Sequence, residues 1–277
     1  MTARIPRGRK REGRRLRLPR QLSTRALGPK PPDRIVDDVT GLYLDVLEKL
    51  FRSLGPEIEK FIFQTSGSRP ARADAFSLDV FRLRIEDLLD ERTIAQAVST
   101  AAGQVSRAVD RDLLQIPGIV TSGTLAGGAV QLAAFRERNV NLIRTAGRDA
   151  LRRIERTLNA NAGLHVAGLR KKLQSEFNVS KSRAQLWARD QTLKLYSNVN
   201  QARQRGAGIK QYVWTTSQDE RVRDGSAGPL DHVSLEGRVF SWDDPPDVGD
   251  GRHLHPGEDY QCRCTATPIL PSPDEIS

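Results

Sequence analysis

The residue types able to do chemistry crowd into one stretch of the chain. Between Trp214 and Cys264 lie both cysteines, three of the four histidines and two of the three tryptophans. In order they are Trp214, Asp219-Glu-Arg221-Val-Arg223, Asp231-His232, Leu235-Glu-Gly237, Trp242, His253, His255-Pro-Gly257 and Cys262-Arg-Cys264. Thiolate, imidazole and carboxylate are the donors that zinc takes, four at a time in tetrahedral structural sites. In a strand, residues two apart point to the same side, so Cys262 and Cys264 would present both sulfurs to one ion. His232 would add a third ligand, and one of Asp219, His253 or His255 the fourth, with Asp219 taken into the set. A structural zinc would stiffen a small module whose aromatic core is thin.

The same residues admit other chemistry. His232 beside Asp219, Glu220 or Asp231 could act as a general base with an orienting carboxylate. Arg221 and Arg223 could then hold a phosphate, which describes a metal-dependent, nuclease-like enzyme. Cys262 with His232 could instead make a thiol nucleophile. Without chemistry, two small buried cysteines and a histidine bonded to backbone would account for the cluster. Asp219, Arg221 and Arg223 would then form a turn held by ion pairs and side-chain-to-backbone bonds. Trp214 reads as a core anchor with Trp242 near it, and Gly237 as a tight hairpin turn that needs positive φ.

The elements that must position these residues read as α+β: a mostly helical N-terminal body followed by a small C-terminal module of one helix and a short antiparallel sheet. Ile35, Val39, Leu42, Val46, Leu50 and Leu54 recur at helical spacing. A second helical pattern carries Phe81, Ile85, Leu88, Ala95, Val98, Ala102, Val105 and Val109, close to a heptad seam. A third runs from about Val130 to Leu158. Its arginines interleave with Glu137, Asp149 and Glu155, as on a solvated, ion-paired face. A short helix with Leu169, Leu173 and Phe177 follows, and Ser180 would cap a further helix that ends near Arg205 before Gly206-Ala-Gly208. Strands are expected at Gln211–Thr216, as a pair between Val233 and Trp242 turning at Glu236-Gly237, and from Tyr260 to Ile269. The chain thus divides into a basic arm at residues 1–34, a helical body at 35–180, the module at 181–270 and a tail at 271–277.

Charge is distributed unevenly. Residues 1–34 carry twelve Lys or Arg against Glu12 and Asp33, which accounts for the whole net charge of +10. Few large apolar residues accompany them, so this segment is expected to be disordered. Arg7, Arg9, Lys10, Arg11, Arg14, Arg15, Arg17 and Arg20 would suit a polyanion, double-stranded DNA above all. No run of about 18 apolar residues is present, so no membrane span is expected. No apolar segment follows the charged start, so no secretory leader is expected either. Two cysteines make no disulfide framework and favour a reducing compartment.

The order of these motifs resembles a known family. Ala188-Arg-Asp-Gln191 lies on a helix and precedes Trp214-x-x-Ser217-x-Asp219-x-Arg221-x-Arg223. His232 before Leu235-x-Gly237, then His255-Pro-Gly257 and Cys262-Arg-Cys264, complete a series similar to the phage Mu protein F-like head morphogenesis, or minor capsid, proteins. The resemblance covers roughly residues 181–270. It departs from the family at Asp190-Gln191, where Thr-Glu is more usual, and by an insertion at Asp224–Leu230. The resemblance implies a component of a tailed phage or prophage head. It would associate with portal, capsid or scaffold, assemble in the host cytoplasm and end in the capsid interior, with the basic arm toward packaged DNA. It implies a protein that binds rather than catalyses, the nuclease-like enzyme being the alternative.

Overall fold

The computed structural model describes residues 35–45, 48–49, 52, 55–56, 90–116, 119, 128–161 and 166–270. The arm at residues 1–34, with its eight candidate DNA contacts, and the tail at 271–277 lie outside them. Among the described residues, 35–45 are helical (α1). Three complete helices follow: α2 at Glu91–Leu114, α3 at Ala129–Ala160 and α4 at Val166–Gly206.

Asp90 starts α2 in the usual way of a short acid. Its carboxylate accepts from the Thr93 N–H at 2.9 Å, and Glu91 occupies the first turn, where the helix dipole favours negative charge. The buried face of α2 is Ile94, Val98, Ala101, Ala102, Val105, Ala108, Val109 and Leu113. Its three alanines let neighbouring helices approach closely. Phe135, Val140, Ile143 and Leu151 of α3 pack into the same core, with Val39 and Tyr43 of α1 and Ala188, Leu195, Tyr196 and Val199 of α4. Polar cross-ties fix the register: the Arg203 guanidinium reaches Asp110 at 2.9 Å and Ser106 at 3.0 Å, and the Tyr196 hydroxyl donates to Asp112 at 2.5 Å. The buried Asn139 amide donates to Phe135 O and its oxygen accepts from Tyr43.

One expectation is corrected here. Ser180 does not open a helix; it is buried inside α4, which runs unbroken for 41 residues. Asn178 and Ser180 are weak helix formers, yet nothing in the segment is a proline or glycine that would break the hydrogen-bond ladder.

After Gly208 at φ 76 the period changes to two. Strand β1 (Gln211–Thr215) is central, flanked by β2 (Val239–Ser241) and β3 (Thr265–Ile269), both antiparallel to it. Tyr212 faces Phe240 on one side and Pro268 on the other, and Trp214 faces Ala266. Pro268 is tolerated because β3 is an edge strand. This is the expected antiparallel sheet with two differences. Val233–Leu235 is a turn of 3-10 helix and not a strand, because the Asp231 carboxylate accepts the Ser234 N–H at 2.9 Å and bends the chain. The last strand begins at Thr265, so Cys262 and Cys264 precede it.

The second face of α4 closes the sheet. The Asn200 and Gln204 side-chain amides both donate to Ala266 O, at 3.1 and 2.9 Å, and Ser197 donates to Pro256 O. Tyr212, Trp214, Leu235, Trp242, Val248, Cys262, Cys264 and Ala266 form the core on the other side of the strands.

Candidate functional site

Trp214 is fully buried at the end of β1, and the chain folds its chemistry around that indole. The backbone pairs Trp214 N with Arg238 O and Gly237 N with Trp214 O, each at 2.9 Å. Gly237 has φ 71, as the turn expectation requires, though it links the 3-10 turn to β2. That turn lays His232 edge-on against the indole, ring centroids 5.5 Å apart. The backbone oxygen of Arg223 accepts both His232 N at 2.8 Å and Val233 N at 3.0 Å, which fixes where the imidazole starts.

The thiols arrive from the other direction. Asp190 of α4 accepts the Gln261 N–H at 2.8 Å, Gln261 takes φ 54, and the Cys262 N–H closes a turn onto Asp259 O at 3.1 Å. The chain therefore reaches Cys262 as a turn and not as a strand. Even so, both sulfurs come to rest on the histidine: Nδ1 of His232 is 3.6 Å from Cys262 Sγ and 3.7 Å from Cys264 Sγ. The three donor atoms lie within 4.8 Å of one another, and all three residues are buried. Both cysteines are free. The Cys264 thiol, with His232 alongside, holds Cys262 well below the ordinary cysteine range against the effect of burial. The same bond, with burial, pushes Cys264 up.

On its far side, Nε2 of His232 stands 3.7 Å from Oδ2 of Asp259, a carboxylate only 6% exposed. Asp259 is also bound by Arg223 Nη1 at 3.3 Å, by Arg252 Nη1 at 3.2 Å and by the Tyr260 N–H at 2.9 Å. Sequence reasoning did not single out Asp259. Its place three residues before Cys262 was the available signal, since a turn of that length returns the acid to the thiols.

The other expected residues lie elsewhere. Asp219 forks onto Arg263, which sits between the two cysteines, and also accepts the Arg221 N–H at 3.1 Å. Arg263 holds its carboxyl well below the usual range, and so Asp219 stands in an ion-paired turn apart from the thiol–imidazole cluster. Arg221 is largely exposed beside it, whereas Arg223 donates to Tyr260 O at 2.6 Å and ties the two approaches together. His253 bonds Pro245 O at 2.8 Å. His255 shares a 2.9 Å hydrogen bond with Tyr212 and lies tilted against Trp242, ring centroids 4.9 Å apart, its pKa lowered chiefly by burial. Asp231 is spent on Ser234. A cavity of about 20 Å³, room for roughly one water-sized particle, is lined by Ser217, Arg221, Arg223, Arg263, His232 and the two cysteines.

No described helix is long and apolar enough to cross a membrane. An uncharacterized protein of Haemophilus influenzae is 29% identical over 253 residues, 84% of this chain and 54% of that protein. The chain thus spans about half the length of the curated relative it matches. No solved structure matches. The family described as phage Mu protein F like protein matches residues 152–267, from the second half of α3 through α4 into β3. That range takes in Trp214, His232 and both cysteines, and over it the chain is similar to the phage Mu protein F-like proteins.

Proposed function

We propose that the chain is a head morphogenesis, or minor capsid, protein of a tailed phage or prophage, and that it works by binding. A Mu F-like domain points to phage head morphogenesis in general, and the match over residues 152–267 is the observation that carries the reading. The partners would be the portal ring or the inner face of the capsid or scaffold. The protein would join them in the host cytoplasm and remain inside the virion. A long bundle with an exposed arginine-rich face on α3, where Arg152 is 70% exposed, offers a docking surface of ordinary polar kind. The basic arm, with Arg7, Arg9, Lys10, Arg11, Arg14, Arg15, Arg17 and Arg20, would lie along the phosphates of packaged DNA.

Co-expression with the portal and major capsid proteins of its own phage, followed by gradient sedimentation, tests this reading. Co-migration of the chain with procapsids or portal rings is expected. Particles that assemble and package DNA normally in its absence, and never contain it, would overturn it. For the arm, deletion of residues 1–34 should abolish DNA binding. In the full chain, log affinity should fall with log salt by about 0.9 for each phosphate neutralised. Equal binding by the truncated chain would remove the arm from the account.

The nuclease-like alternative draws no support from the placement of its acids. Asp219 and Asp231 are each committed to their own turns, and His232 meets sulfur at Nδ1 and Asp259, itself held by two arginines, at Nε2.

A further inference from the structure

We propose that His232, Cys262 and Cys264 bind one zinc ion, and that Asp259 orients the histidine. The first argument is equidistance. A lone imidazole nitrogen making a hydrogen bond aims at one partner, yet Nδ1 stands 3.6 and 3.7 Å from two sulfurs. A tetrahedral zinc with bonds of about 2.3 Å to sulfur and about 2.0 Å to nitrogen requires nitrogen–sulfur separations of about 3.5 Å. Three donors gathered within 4.8 Å around a shared point are what such an ion demands.

The second argument is the far side of the ring. Nε2 of His232 and Oδ2 of Asp259 are both buried and face each other across 3.7 Å; neither makes a hydrogen bond, and Oδ2 has only the ion pair with Arg223 Nη1 at 3.3 Å. A histidine that gives Nδ1 to a metal keeps its proton on Nε2 and donates it to a carboxylate. Metal binding would give that proton its acceptor and draw the pair together. The third argument is chemical class. Two thiolates and an imidazole suit zinc and exclude hard cations such as magnesium and calcium, which take oxygen. Three protein donors leave the fourth position to a water. The ion would bind the turn before β3 to the 3-10 turn before β2, segments thirty residues apart that otherwise meet across Trp214.

The test uses the full chain. Protein purified without chelator is assayed for zinc, then stripped and titrated with cobalt(II). Near-stoichiometric zinc is expected, along with a thiolate-to-cobalt charge-transfer band and the visible bands of a tetrahedral ion. Cys262→Ser and Cys264→Ser should each weaken the charge-transfer band, and the double variant should lose it. Asp259→Asn should keep the band and lower affinity about 10- to 100-fold. Should the variants fail to fold, the titration of the unaltered chain decides alone: absence of the charge-transfer band overturns the proposal. Its persistence in a folded double variant overturns it as well. Neither result bears on head association, which is read from particle composition.

Discussion

Asp190→Ala is the most informative single substitution for the fold. The carboxylate is 7% exposed and bonds the Gln261 N–H at 2.8 Å and Lys194 Nζ at 2.8 Å. A hydrogen bond to a charged group contributes about 1.5–3 kcal/mol, and the Lys194 pair, on the rim of the helix, adds only about 0.3–0.5 kcal/mol. Alanine recovers roughly half a kcal/mol through helix propensity. Gln261 at φ 54 is held in a conformation that non-glycine residues disfavour, so its release returns part of the cost. The net loss should be about 2 kcal/mol. That corresponds to a fall in Tm of roughly 4–8 °C for a chain of this size. Asp190→Asn keeps an oxygen for the Gln261 N–H and should cost about 1 kcal/mol. Denaturant unfolding followed by circular dichroism measures both. A neutral Asp190→Ala would show that the turn bearing the thiols is held by something else. Equal losses in the two variants would show that charge, and not acceptor geometry, anchors it.

Gly257 has φ 86, and a Cβ there would lie 2.7 Å from Ser197 Cβ on α4; Gly257→Ala should therefore cost about 2–4 kcal/mol from the disfavoured backbone and overpacking together, and a loss under 1 kcal/mol in chemical denaturation would mean the contact relaxes freely. Arg203→Met removes the guanidinium that links α4 to Asp110 and Ser106; with Asp110 partly solvated, the loss should be about 1–3 kcal/mol, and an unchanged unfolding midpoint would count against the tie. His255 is held neutral by burial, its pKa lowered from 6.5. The unfolded chain then binds the extra proton first, so this contribution to stability is complete above pH 6.5 and declines as pH falls below it. Stability measured between pH 7.5 and about 5 should slope downward, and His255→Gln should flatten that slope; an unchanged slope would place the titration elsewhere.

The sequence made the bundle legible where apolar residues recur without interruption, as at Val98, Ala102, Val105 and Val109. It also indicated that Trp214, His232 and the Cys-x-Cys pair would meet, because so few other residues of those types exist. Three features resisted reading for separate physical reasons. The continuity of α4 through Ser180 depends on tertiary burial of its second half, which outweighs the weak local propensity of Asn178-Val-Ser180. The turn that delivers Cys262 depends on Asp190, 71 residues earlier, capturing one N–H; no local pattern encodes a bond of that range. The choice of acid beside His232 followed the same logic. Asp219 lies in the conspicuous Asp-x-Arg-x-Arg motif, but Arg263 takes it, and the quieter Asp259 meets the ring.

The unbroken α4 has a rotational consequence. Up to Arg183 its residues are mostly exposed, while from Ala184 to Gln204 it is buried on two opposite sides. Each added residue turns a helix by about 100° and advances it by about 1.5 Å. Length variation before Ala184 would leave those two faces in phase and turn only the outer rod, at the cost of the buried Leu169 and the Arg153–Glu176 pair at 2.7 Å. One residue inserted between Leu195 and Asn200 would throw either Tyr196 or Gln204 out of phase with its partner, so this part of the spindle has a fixed pitch.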